Sequence, residues 1–245
     1  MIKRFLIALQ FLTILPVKVK DIRDDDYRDS LPYFPAAGLI IGLLLVVAAK
    51  ITSAMPNMFT AAAILTVSVL ITGGLHLDGF ADTCDAFYGV RTRKERLDIM
   101  RDSRIGAMGA MGITLLLLWK FVLIVSIAPA FLWRALIMTT TFSRWAQVLA
   151  CAISKYAREE GKGGFFIGRA TIRDTIAGGL FTLSLFLIFA GITRGVIIYL
   201  TSTVFAALFT LYANKKIGGM TGDTVGAVSE IAEVLVLSSG LIIVP

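Results

Sequence analysis

Seven apolar segments constrain the fold of this chain more than any other feature. Each is close to the roughly 20 residues that an α-helix needs to cross the hydrocarbon core of a bilayer. They are residues 33–54, 58–77, 108–128, 131–152, 175–193, 195–213 and 224–243. Hydrophobic residues form 57% of the 245-residue chain, and the mean hydropathy is +0.81. This is more apolar surface than the core of a soluble protein of this size can bury. The sequence therefore predicts an all-α, polytopic membrane helical bundle of about seven spans, with residues 1–245 as a single domain.

The N-terminal segment, MIKRFLIALQFLTILPV, combines a basic start with an apolar stretch. This pattern is similar to a secretory signal peptide, but the segment lacks a small-x-small cleavage site, and Gln10 and Thr13 interrupt it. We expect an interfacial helix that lies on the membrane, with a cleaved signal peptide as the alternative.

The basic residues are distributed unevenly between the two predicted sides. Of 24 Lys and Arg, 19 lie in the first 32 residues or in the connections 78–107, 154–174 and 214–223, whereas the opposite side has only Arg194. The positive-inside rule places the N-terminus and these connections in the cytoplasm, and seven spans then place the C-terminus outside. The net charge of +7 therefore reflects orientation in an anionic bilayer, and we expect no nucleic-acid partner. The protein is predicted to be a multi-pass protein of the cell inner membrane.

The acidic residues lie on the same predicted side, which indicates chemistry at the cytoplasmic face. In HLDGFADTCDAF, the carboxylates Asp78, Asp82 and Asp85 have i, i+4, i+7 spacing and would share one face of a helix. Three like charges repel each other, so we expect a divalent cation, and Mg²⁺ prefers such oxygen ligands. The alternative is a solvated acidic turn that the helix dipole stabilises.

A second motif, RLDIMRDSRIGAMG, adds another acid and two arginines to the candidates. Asp102 is a further candidate metal ligand, and Arg101 and Arg104 are candidate clamps for phosphate oxygens. The alternative for the arginines is anchoring at the membrane surface. Gly109 and Gly112 are expected to form a small-residue packing seam between helices.

The third motif, GGMTGDTVGAVSEIAE, combines glycines with three acids. The glycine-rich stretch that ends at Gly222 exposes backbone N–H groups at a helix start, which suits a phosphate, and Asp223 follows it. Glu230 and Glu233 lie near the same helical stripe, and Glu233 would be about 15 Å along the axis. So deep a charge must be protonated, paired or in a wet cavity. The intramembrane cations that could pair with it are Lys120, Arg134 and Arg144.

These three motifs resemble those of the cobalamin synthase family, also called adenosylcobinamide-GDP ribazoletransferase. The segments ALQFLTILPV and YFPAAGLIIG are also similar to that family, so the resemblance covers nearly the whole chain in order. It implies an enzyme that joins adenosylcobinamide-GDP to α-ribazole, or to its 5′-phosphate, and releases GMP. It also implies Mg²⁺ as cofactor and membrane lipid as surroundings, and it leaves a homo-oligomer open.

The resemblance implies roles for the residues named above, because phosphoryl transfer depends mainly on positioning and charge neutralisation. The expected metal ligands are Asp78, Asp82, Asp85, Asp102 and Asp223. The expected phosphate contacts are Arg101, Arg104, Arg144 and Gly222. Asp82 is the first choice for general base, followed by Glu230 and by His76, the only histidine. A packing role at the membrane edge is the alternative for His76.

A cation- or proton-coupled transporter is the competing function from another class. Acids and bases within a membrane often mark ion pathways. Transporters usually contain internal repeats and bind substrate at the midplane, whereas this sequence shows no clear repeat and its acids gather toward one face. The enzyme is therefore the favoured prediction.

Overall fold

The computed structural model describes residues 1–243, and helices are its only regular secondary structure, with no β-strand in that range. Its α-helices are α1 (Ile2–Leu12), α2 (Asp24–Arg28), α3 (Phe34–Ile51), α4 (Asn57–Thr72), α5 (Leu75–Phe87), α6 (Arg93–Ile99), α7 (Ala107–Ser126), α8 (Pro129–Ala152), α9 (Ile172–Ala190), α10 (Ile192–Ile217) and α11 (Gly222–Ile243). The all-α class predicted from the sequence is therefore confirmed.

Five helical segments are long and apolar enough to cross a bilayer. They are Asp24–Ile51, Ala107–Ser126, Ile172–Ala190, Ile192–Ile217 and Gly222–Leu241. Each corresponds to one of the seven predicted spans, which agrees with a polytopic membrane bundle. The two remaining predicted spans, 58–77 and 131–152, differ from this pattern in separate ways.

The predicted span 58–77 does not continue as one straight helix. Helix α4 ends at Thr72, and Gly73 and Gly74 both adopt positive φ angles, 60° and 68°, before α5 begins. The left-handed conformation is accessible to glycine without steric cost, so the pair turns the chain sharply. The two helices are bent by 91° and qualify as one span only when taken together. The bend sets α5 across the bundle.

Helix α8, which corresponds to the predicted span 131–152, lies at the centre of the bundle. It is not among the helices that meet the hydropathy criterion for spanning, although its 24 residues are long enough. Its polar stretch Thr139–Trp145 is buried against α3 and α11 rather than facing lipid. A helix surrounded by other helices tolerates polar side chains because they find partners inside the protein.

The N-terminal segment forms the expected helix, α1, which packs against α3. Ile7, Ala8 and Leu12 are fully buried, while Lys3 and Arg4 face outward. Lys3 Nζ lies 2.9 Å from Asp26, and Arg4 lies 2.5 Å from Asp29, so α1 is also tied to α2. The helix is confirmed, and its contact with the membrane surface stays a prediction.

The three long connections meet at one end of the bundle. Arg93 donates hydrogen bonds to the carbonyls of Ile217 and Ala157, at 2.8 and 3.0 Å. Tyr156 forms an isolated parallel β-bridge with Met220. Segments that are far apart in the chain therefore share one end, as the distribution of basic residues predicted.

Candidate active site

The site forms where α5 crosses the start of α11. A Cβ atom built on Gly79 would lie 2.8 Å from the Cα atom of Asp223, so only glycine allows the two helices to approach this closely. Asp78 and Asp82 flank Gly79 along α5 and are thereby brought next to Asp223. The charges of Asp223, Asp78 and Asp85 all act unfavourably on the Asp82 carboxylate. The sequence prediction that distant carboxylates converge is met for α5 and α11.

Arg158, in the loop after α8, supplies the main counter-charge at this crossing. Its guanidinium donates a hydrogen bond of 2.9 Å to Asp223 and another of 3.2 Å to the carbonyl of Met100. The hydroxyl of Thr221 also donates to Asp223, at 3.2 Å. One arginine thus faces several carboxylates, and the cluster retains an excess of negative charge.

A cleft of about 240 Å³ opens beside these groups. Its polar wall contains His76, Asp78, Tyr156, Arg158, Gly222 and Asp223. Its aromatic wall contains Phe11, Phe34 and Phe166, whose ring centroids lie between 4.6 and 6.0 Å apart. Four of the residues predicted from the sequence, His76, Asp78, Gly222 and Asp223, therefore line one cavity.

His76 lies deep in this region and is only 4% exposed. Its Nδ1 atom has no hydrogen-bond partner within residues 1–243. The Cα atom of His76 packs closely against Gly226 of α11, so part of its role is to fit the helix crossing. Its role in proton transfer stays a prediction.

Asp85 belongs to the same stripe of α5 but is engaged by another helix. Its two carboxylate oxygens accept hydrogen bonds from the backbone N–H groups of Gly106 and Gly109, at 2.7 and 2.8 Å. These groups lie at the start of α7, where free N–H groups and the helix dipole favour a negative charge. Gly109 and Gly112 pack directly against α5, which confirms the predicted glycine seam. Asp85 therefore holds α7 against α5.

Asp102 and Arg104 form an exposed ion pair with each other. Arg104 donates a 2.6 Å hydrogen bond to Asp102, and these hydrogen bonds lower the pKa of Asp102 to about 2. Within the described chain, the hydrogen bonds and the ion pair of the Asp102 side chain are all formed with Arg104. The role of Asp102 as a metal ligand stays a prediction.

Glu230 and Glu233 lie in a separate, buried network in the middle of the bundle. Lys120 donates to both, at 2.5 and 2.6 Å, and Arg144 donates to Glu233 at 3.1 Å. The four side chains are between 1% and 6% exposed. The expectation that Glu233 is paired is confirmed for Lys120 and Arg144. Arg134 instead lies over the rings of Phe131 and Trp133. The role of Glu230 as a general base stays a prediction.

The carboxylates at the cleft would supply only part of a Mg²⁺ coordination shell, rather than a complete cage of protein ligands. Over the described residues, no three His, Cys, Asp or Glu side chains are arranged to hold a metal ion by themselves. Mg²⁺ commonly binds one or two carboxylates and completes its shell with substrate phosphates and water. Asp78, Asp82 and Asp223 offer carboxylate oxygens whose mutual repulsion a cation would relieve. Mg²⁺ as the cofactor of this site stays a prediction.

Arg158 and the aromatic wall were not identified from the sequence. Arg158 lies in the segment AREEGKGG, where it has no distinctive spacing to any other charge. Phe11, Phe34 and Phe166 come from three distant segments that read as ordinary apolar positions. Only the tertiary fold brings these side chains to the cleft.

The fold and the cleft together define a class: a polytopic helical membrane protein with a carboxylate-rich cavity at the end that carries its charged connections. The chain belongs to the cobalamin-5-phosphate synthase family, whose model matches residues 4–241. No solved structure matches the chain.

Similar proteins cover nearly the full chain. Three relatives are each named adenosylcobinamide-GDP ribazoletransferase. The relative from Chlorobium phaeobacteroides is 37% identical over 96% of this chain and 95% of its own. The relative from Clostridioides difficile is 36% identical over the same shares, and that from Caldanaerobacter subterraneus is 32% identical over 96% of both chains.

Proposed function

We propose that the protein transfers the GDP-activated phosphate of adenosylcobinamide-GDP to α-ribazole, or to its 5′-phosphate, with release of GMP. The observation that carries this proposal is the meeting of Asp78 and Asp223 with Arg158 at one cleft, with the Asp82 carboxylate within the field of all three charges. Family membership and the printed names of the relatives support the choice of substrates.

The proposed reaction is a displacement at phosphorus. A ribose hydroxyl of the acceptor attacks the phosphorus that is linked to the corrinoid, and the bond from that phosphorus to GMP breaks. The hydroxyl proton passes to a carboxylate, for which Asp82 is our choice because it lies at the centre of the cluster. No protein nucleophile takes part.

The charges of the site support this reaction. Mg²⁺, when bound, would neutralise charge on the diphosphate and on the leaving GMP. Asp78, Asp82 and Asp223 are the residues that would hold it, whereas Asp85 and Asp102 are engaged with α7 and Arg104. Arg158 is placed to steady phosphate oxygens through its planar fork.

We also propose that the cleft faces the cytoplasm and that the protein lies in the cell inner membrane. The cleft lies at the end where Arg93, Ala157 and Ile217 join the charged connections. The positive-inside rule places such connections in the cytoplasm.

The test is GMP release from the detergent-solubilised protein. With adenosylcobinamide-GDP and α-ribazole, we expect GMP and a corrinoid product in equal amounts, loss of both with EDTA, and recovery when Mg²⁺ is added in excess. The same preparation in liposomes would be loaded with pH- and cation-sensitive dyes. Dye responses without any GMP release would contradict the enzyme and favour the transporter.

A further inference from the structure

Two openings in the protein meet at Arg158. One is the aromatic cleft defined above. The other is a wider surface groove of about 480 Å³, which includes Arg93, Lys94, Arg101 and Arg158 among its lining residues together with the acids Asp98 and Glu159. Arg158 lines both openings, and its partner Asp223 lines the cleft. The Arg158–Asp223 ion pair therefore lies between the mostly apolar cleft and the basic groove.

The size of the aromatic cleft limits what it can bind. Pockets that enclose a drug-sized ligand occupy roughly 300–1,000 Å³. At about 240 Å³, the cleft is smaller than that range. It can take a nucleoside or part of one, whereas a corrin macrocycle, which is larger than a drug-sized molecule, would not fit.

The chemistry of the cleft favours an aromatic base on a ribose. Phe11, Phe34 and Phe166 line the cleft, and because Phe34 and Phe166 are only 2% and 4% exposed, the half-buried Phe11 offers most of the open ring surface. Such a surface stacks on a base without reading hydrogen bonds at its edge. The same cleft is also lined by Asp78 and Asp223, whose carboxylates can meet ribose hydroxyls. A benzimidazole riboside has this division between an apolar fused ring and a hydroxylated sugar.

The groove has the opposite character. Four cations line it against two acids, so its lining carries a net positive charge. The side chains of Lys94 and Arg101 are exposed and have no ion-pair partner within residues 1–243. A diphosphate carries strong negative charge and would be attracted to this surface.

We propose that the two substrates reach the Arg158–Asp223 pair from opposite sides: the nucleoside acceptor occupies the aromatic cleft, and the diphosphate of the nucleotide-activated donor binds in the basic groove. This inference rests on the proposed function and assigns its two substrates to separate compartments. It also makes the N-terminal helix part of the acceptor site, because Phe11 belongs to α1.

The experiment measures the Michaelis constants for both substrates in GMP release by full-length protein variants. Phe166→Leu and Phe11→Leu remove one ring each and keep an apolar side chain. The loss of one stacking surface is expected to raise KM for α-ribazole about 5- to 100-fold and to leave KM for the donor within about twofold. Phe59→Leu is the matched control, since Phe59 lies on α4 with 56% exposure.

The groove is tested with the double variant Lys94→Gln/Arg101→Gln. We expect KM for adenosylcobinamide-GDP to rise about 3- to 10-fold at low ionic strength, less so at high salt, with KM for α-ribazole unchanged. Lys20→Gln, an exposed lysine in the N-terminal segment, is the control. Because Lys94 and Arg101 are exposed, this variant remains informative if a phenylalanine variant does not fold.

The outcomes separate this inference from the proposed function. The assignment is supported if the phenylalanine variants raise only KM for α-ribazole and the groove variant raises only KM for adenosylcobinamide-GDP. If both sets of variants change the same constant, or if the phenylalanine variants affect only the donor, the assignment is wrong while the enzyme activity stands. If the wild-type protein releases no GMP under any of these conditions, the proposed function itself fails, and the assignment fails with it.

Discussion

The buried ion network offers the sharpest test of how this bundle is held together. Lys120 on α7 contacts Glu230 and Glu233 on α11, and Arg144 on α8 contacts Glu233. Two positive and two negative charges therefore balance among side chains that are at most 6% exposed. Ser143 and Ser229 add hydrogen bonds to the same groups. The network joins three helices at the centre of the protein.

Lys120→Met is expected to destabilise the protein strongly. The substitution leaves two buried carboxylates opposite one arginine, and removal of one partner from a buried ion pair costs about 3–5 kcal/mol. For a chain of this length, 1 kcal/mol corresponds to about 2–4 °C in Tm. The predicted decrease is therefore about 6–20 °C, measured by the loss of monodisperse protein on heating in detergent.

A second substitution separates charge balance from loss of packing. The double variant Lys120→Met/Glu230→Gln removes one charge of each sign and keeps the contact between Arg144 and Glu233. We expect it to recover at least half of the lost Tm, which is a coupling of about 1–3 kcal/mol. Lys50→Met, at an exposed position, should change the free energy of unfolding by less than about 0.5 kcal/mol. The reasoning is refuted if the single variant behaves like Lys50→Met, or if the double variant is no more stable than the single one.

Three further predictions concern α5 and the orientation of the chain. Asp85→Ala removes the cap of α7 and should lower the free energy of unfolding by about 1–2 kcal/mol, whereas Asp85→Asn should lower it less. Both losses are measured as thermal stability, and equal losses would argue against the cap. Gly79→Ala places a Cβ atom against Asp223 and so separates α5 from α11, which should reduce GMP release at least about tenfold. Unchanged GMP release would show that the close approach of the two helices is not needed. A reporter fused after residue 194 should report the external side of the membrane, and a cytoplasmic signal there would overturn the assigned orientation.

The helices that face lipid were predictable because hydropathy and length are local properties of the sequence. The sequence did not predict the bend at Gly73-Gly74, because the apolar segment continues past these glycines to Leu77 and was therefore interpreted as one straight span. Helix α8 was predicted in its bounds, but its polar middle gave no sign that it would lie at the centre of the bundle.

A contact was predictable from the sequence where an unpaired charge in the membrane interior would cost too much free energy. Glu233 lies too deep to remain alone, so the sequence correctly indicated its pairing with a buried cation. The i, i+4, i+7 spacing placed Asp78, Asp82 and Asp85 on one stripe, but it did not reveal that α7 engages the last of them. The Arg158–Asp223 pair joins residues 65 positions apart, and no local pattern marks such a contact.

The most direct test of the account is the turnover of Asp82→Asn, since Asp82 lies at the centre of the converging carboxylates. Asp25→Asn is the matched control, because Asp25 is an exposed aspartate on α2 that has no proposed role in the site. We predict that Asp82→Asn inserts normally and keeps its Tm but releases GMP at least about 100-fold more slowly, as loss of a general base or of a metal-binding carboxylate requires. The control should stay within a few fold of wild type. Near-normal GMP release by Asp82→Asn, or an equal loss in both variants, would contradict the account.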